Sequence, residues 1–89
     1  MASGEGPAER AVWVVRYRDD SITSWLRTES GHREEARFTE QHHNAHEHTD
    51  RHDAYLARDC QRDVLLIQRE LGEDVEPAAL RVVRRYRAI

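Results

Sequence analysis

Residues 56–71 read LARDCQRDVLLIQREL, and their spacing is the strongest pattern in the chain. With Ala57 at the start, the apolar positions Ala57, Cys60, Val64, Ile67 and Leu71 recur every three or four residues, which is the spacing of one buried helix face. Leu56, Leu65 and Leu66 widen that stripe, and Gly72 follows where a helix stop belongs. The pattern predicts a helix with Leu56, Cys60, Val64, Ile67 and Leu71 buried and Cys60 an inert thiol in the core.

Upstream, no Pro or Gly interrupts residues 32–71, and Glu, Arg, Ala, Gln and Leu are frequent. The expectation is a long central helix over most of residues 33–71, with a break near Asn44 or Thr49–Asp50, where either could cap a second segment. Downstream, Pro77 suits the first position of a last helix running to the C-terminus. Ala79, Val82, Val83, Tyr86 and Ile89 would form one face of that helix and Arg81, Arg84 and Arg85 the other.

The N-terminal part reads differently. Residues 11–18, AVWVVRYR, are β-branched and aromatic, as a strand prefers. If Asp19-Asp20 is a tight turn, a hairpin faces Tyr17 with Ile22, Val15 with Ser24 and Trp13 with Leu26. A strand followed by a short helix from Ser21 is the competing reading of 21–28. The fold class expected is therefore mainly α with a small N-terminal β-hairpin or strand (α+β). Residues 1–10 read as a disordered leader, and 11–89 as a single helix-rich domain.

The chain has 89 residues, of which 38% are hydrophobic and 35% charged. So polar a composition predicts a thin core, completed by self-association or a partner protein. The single cysteine permits no internal disulfide and fits a reducing, cytoplasmic compartment. No apolar run is long enough to span a bilayer, and no membrane partner is expected. Every cationic residue is Arg, and the formal net charge is −3, which does not favour nucleic acid as the partner. The middle of the chain is acidic and His-rich; the end is basic.

Residues 42–53 read HHNAHEHTDRHD. If this stretch is helical, His42, His46, Asp50 and Asp53 fall in one sector that continues the apolar stripe, whereas His48 points elsewhere. Imidazole and carboxylate together suit a divalent transition metal such as zinc or iron. A pH-responsive or merely solvated surface is the alternative. His46-Glu47-His48-Thr49-Asp50 fails as an H-E-x-x-H zinc site because Asp50 stands where the second His is needed. No nucleophile–base arrangement and no Gly-rich phosphate loop is present, so no catalytic residue is assigned.

Two groups are candidates for partner contact. Trp13, Tyr17 and Trp25 cluster near the N-terminus, and Arg81, Arg84 and Arg85 lie near the C-terminus; Trp, Tyr and Arg are enriched at binding hot spots. The function expected is a small regulatory or inhibitory protein-binding module, acting through a protein partner or as a complex subunit. The alternatives are a metal-binding helical dimer using the His/Asp cluster, and a DNA-binding regulator using an Arg-rich C-terminal helix.

Overall fold

The computed structural model describes residues 9–20, 22–27 and 38–88. Of the expected leader over residues 1–10, residues 1–8 lie outside them, whereas Glu9 and Arg10 are strand; the 33–37 start of the long helix also lies outside them. Along the chain come β1 (Glu9–Asp19), β2 (Ile22–Leu26), β3 (Phe38–Thr39), a short 3-10 turn (His42–Asn44), α1 (Arg51–Glu70), a second 3-10 turn (Pro77–Ala79) and β4 (Leu80–Ala88). The strands make a four-stranded antiparallel sheet in the order β3-β2-β1-β4. The expectation of a mainly α chain is thus corrected: the framework is a sheet, and one helix packs on it.

β1 begins as its composition predicts, and it is central because both edges are paired. On one edge it meets β2 through a tight hairpin. Asp19 is opposite Ile22, and Asp20 enters the turn with φ 53°. Asp tolerates this left-handed conformation better than most non-Gly residues. Tyr17 is opposite Ser24 rather than Ile22, so the register lies two residues from the expected one. A shift of two leaves every side chain on its expected face, since strand side chains alternate with a period of two.

On its other edge β1 pairs with β4 over nine residue pairs, from Glu9 opposite Ala88 to Tyr17 opposite Leu80. This overturns the expected C-terminal helix. Pro77 does start a turn, with the Glu76 carboxylate accepting from the Ala78 amide, but that turn ends at Ala79. Val82, Val83 and Tyr86 fit a helix face by spacing, yet they are also good strand formers. Pairing with β1 satisfies their backbone groups and decides the outcome.

The long central helix is likewise shortened. After the His42–Asn44 turn the chain runs extended, and His48 exchanges both backbone hydrogen bonds with Trp13, at 2.9 and 2.8 Å. The His46 amide donates to the Leu26 carbonyl at 2.9 Å. This segment thus takes over the edge of β1 where β2 leaves it. Helix starts only at Asp50, whose side chain caps the His52 amide at 2.8 Å. It stops where expected: Gly72 (φ 96°) donates to Arg69 O and Glu73 to Gln68 O, both at 3.0 Å, the bond pair that closes a helix on a left-handed glycine.

The helix lies on the sheet face bearing Val15, Leu26 and Leu80, and closes the core with Ala57 and Leu65; Tyr17, Phe38 and Val75 pack around it. The Tyr17 hydroxyl also accepts from the Glu76 amide at 3.0 Å, tying the loop after α1 to β1. The buried helix positions are Ala54, Ala57, Gln61 and Leu65. The expected stripe is therefore rotated: Val64 is half-buried, Cys60 is exposed, and Leu56, Ile67 and Leu71 are 55%, 58% and 76% exposed. Small Ala54 and Ala57 let the helix sit close to the sheet on a side that the larger residues could not. Among the described residues no helix is long and apolar enough to cross a membrane.

Leu65 and Ile67 separate the two versions of the core. Leu65→Ala is expected to lower the unfolding free energy by about 2–4 kcal/mol, and Ile67→Ala by less than about 1 kcal/mol, both read from urea denaturation. Equal losses would mean that the helix is turned as its apolar spacing suggested.

Candidate functional site

Residues directly opposite in an antiparallel pair share a sheet face, and alternate residues along a strand share it too. Val15, Leu26 and Leu80 mark the helix-covered face. The opposite face then carries Arg10, Val12, Val14, Arg16 and Arg18 from β1, Arg81, Val83, Arg85 and Arg87 from β4, Thr23 and Trp25 from β2 and Thr39 from β3. Three arginines come from β1 and three from β4, and none of these strand positions is acidic. Among the described residues, no helix packs over this face.

The register sets two of these arginine pairs directly against each other. Arg16 lies opposite Arg81, and Arg10 lies opposite Arg87. Like charges directly opposite in a sheet are destabilising. The Arg16 Nε is also buried without a hydrogen-bond partner among the described residues. The two pairs are six residues apart along β1, roughly 20 Å at the rise of an extended strand. Arg10, Arg18, Arg81 and Arg87 are exposed, and Arg16 and Arg85 are half-buried.

Between the pairs the face is organised by Glu47 and Trp25. Glu47 follows from the pairing of His48 with Trp13, which turns the preceding side chain to the arginine face. Its carboxylate contacts Arg85 Nη1 at 3.8 Å and accepts from Arg87 Nε. These side chains come from opposite sides of β1 and meet across it. Val12 and Val14 lie on the same face of β1 and are buried. The Arg85 guanidinium carbon lies 4.8 Å from the centre of the Trp25 ring, over its face, which makes a cation–π contact.

Of the residues proposed from sequence for partner contact, Trp25, Arg81 and Arg85 come together here. Trp13, Tyr17 and Arg84 are on the helix-covered face, where Arg84 sits 5.4 Å over Tyr86. Sequence reasoning missed Arg10, Arg16, Arg18 and Arg87. Arg16 and Arg18 are two apart within an evident strand. Reading 81–87 as a second strand would have aligned Arg81, Arg85 and Arg87 on one face.

The proposed metal ligands are dispersed. His42 is exposed on the 3-10 turn, Asp50 caps α1, and Asp53 is exposed in the first helical turn. His46 is half-buried, and its ring lies 4.6 Å from that of His48, which is only 5% exposed. The shared sector needed helix over 42–50, and those residues are not helical. Among the described residues no group of three or more His, Cys, Asp or Glu side chains is arranged to hold a metal ion.

A cavity of about 450 Å³ lies on the helix-covered side of the sheet, between the hairpin turn and the loop after α1. Tyr17, Ile22, Phe38, Leu65 and Val75 give it apolar walls, and Asp19, Asp20, Glu73 and Asp74 add negative charge. Among the described residues, acidic side chains thus line this cavity on one side of the sheet, while the arginines of β1 and β4 named above lie on the other. No protein-family model matches the chain, and no curated protein or solved structure matches it either.

Glu47→Gln is expected to leave the fold intact, at a cost below about 1 kcal/mol, and to free Arg85 and Arg87. The variant should elute from a sulfonate cation exchanger at pH 7 clearly later than Glu70→Gln, which removes the same charge from the exposed helix surface. Identical elution of the two variants would show that Glu47 does not hold these arginines.

Proposed function

We propose that this protein is a small binding module that takes an extended polyanionic partner on its arginine face. The observation that carries the reading is the pairing of Arg16 with Arg81 across adjacent strands, with Arg10 opposite Arg87, whose charge Glu47 partly offsets, further along the same face. A fold rarely keeps such local conflicts unless a site uses them. An anion seated between two guanidinium groups turns their repulsion into attraction, and each guanidinium offers a planar fork of donors to phosphate or carboxylate. The separation of the two pairs, roughly 20 Å, calls for an elongated partner rather than a single small anion. The net charge of −3 does not oppose this, because the acidic residues lie largely elsewhere, on the helix and around the cavity. Local field, rather than net charge, governs the approach of a charged ligand.

Inorganic polyphosphate is a direct probe. Binding is expected at low salt, with log affinity falling linearly as log salt rises. The double variant Arg16→Gln, Arg81→Gln is expected to bind at least ~10-fold more weakly and to show a shallower salt slope. Unchanged affinity in that variant would remove the arginine face from the account.

A second reading, self-association, rests on the exposed ridge of Leu56, Cys60, Ile67 and Leu71 along α1. Sedimentation equilibrium should then find a dimer at micromolar concentration that Ile67→Glu dissolves. A monomer at every concentration would dismiss it.

A further inference from the structure

We infer that the polyanion is a single-stranded nucleic acid, with unpaired bases stacking on the layer formed by Arg85 and Trp25. This rests on the polyanion reading and narrows it to one class of partner. Arginine alone does not choose between phosphate and carboxylate. The feature that does is the guanidinium of Arg85 lying 4.8 Å over Trp25, on the same face as the paired arginines. Arg85 keeps 21% of its side chain exposed. Single-strand binding surfaces combine a positive track for the backbone with flat groups on which bases stack. Both aromatic rings and guanidinium planes serve as such platforms. An acidic peptide carries no repeating aromatic base to stack on them.

The geometry also favours a strand over a duplex. Bases in a duplex are stacked on one another and show only their edges in the grooves. A sheet face between flanking arginines offers nothing to enter a groove, while an unpaired base can lie flat on the Arg85 guanidinium above Trp25. Phosphates would reach Arg16 and Arg81 at one end of the face and Arg10 and Arg87 at the other. Thr23 and Thr39 place hydroxyl groups on the same side, within the face that a base or sugar would cover.

The two tryptophans make the test direct, because Trp13 and Trp25 lie on opposite sheet faces. Trp13→Phe leaves Trp25 as the only indole. Its fluorescence is followed during titration with an oligothymidylate of about 12 nucleotides, within the range of single-strand site sizes. An abasic strand of equal length, the corresponding duplex and inorganic polyphosphate are titrated in parallel. Wild-type protein carries the same series by anisotropy of labelled strands, so a poorly folded variant does not end the test. The expected result is at least ~10-fold tighter binding of oligothymidylate than of the abasic strand, with quenching of Trp25. Trp25→Leu should bring that ratio close to one. Equal affinity for base-bearing and abasic strands, or preference for the duplex, would overturn the inference, while polyphosphate binding would leave the polyanion reading standing. Failure of all four ligands to bind would overturn both.

Discussion

The nine-pair antiparallel ladder between β1 and β4 is the contact on which the rest of the molecule depends. It joins the N-terminal strand to the last residues of the chain, so it closes nearly the whole sequence into one unit. It makes β1 central and, among the described strands, leaves β3 and β4 at the edges. It also fixes which residues face the helix. With Tyr17 opposite Leu80, the odd-numbered residues of β1 meet α1 and the even-numbered residues face away. A slip of one residue would turn one strand over relative to the other, burying that strand's arginines and exposing its core residue, Val15 on β1 or Leu80 on β4. The burial of Val15 and Leu80 therefore holds the arginine face in place from behind.

That face illustrates how a stable core supports an unfavourable surface. Arg16 and Arg81 sit opposite each other at the same end of β1 as the core formed by Val15, Leu26, Leu65 and Leu80. At the other end, Glu47 offsets part of the charge of Arg85 and Arg87 while leaving Arg10 and Arg16 without an acidic neighbour on the strands. The apolar contact area behind the sheet is what allows these charges to remain close. The helix contributes through small residues, Ala54 and Ala57, together with Leu65. Its larger apolar residues are left on the outside, which explains why so polar a chain has both a small core and exposed Leu and Ile.

The legibility of the sequence follows the range of the interactions involved. β1, the neighbouring hairpin and the Gly72 helix stop were readable because each is set by residues close in sequence. The helix over 51–70 was readable in type but not in rotation, since Leu56, Ile67 and Leu71 make a convincing stripe that the sheet does not use. β4 was unreadable because Val82, Val83 and Tyr86 fit both periods, and only a partner strand some seventy residues upstream chooses between them. The loss of helix over 42–48 has the same cause: the backbone of His48 is committed to Trp13. The site inherited these errors. Arg81 and Arg85 were noticed but placed on a helix with Arg84, from which strand alternation separates them. The histidines grouped only on a helix that does not form there.

The central claim is that the β1–β4 register forces Arg16 and Arg81 together at a cost to the free protein. The direct measurement is the unfolding free energy of Arg81→Gln against the parent chain, taken in low salt and again in about 1 M salt, where screening reaches only ~3 Å. In low salt the variant should be more stable by a few tenths of a kcal/mol or more, and the difference should shrink towards zero as salt rises. A variant that is less stable, or a difference that salt does not change, would contradict the claim that the two arginines repel each other across the ladder.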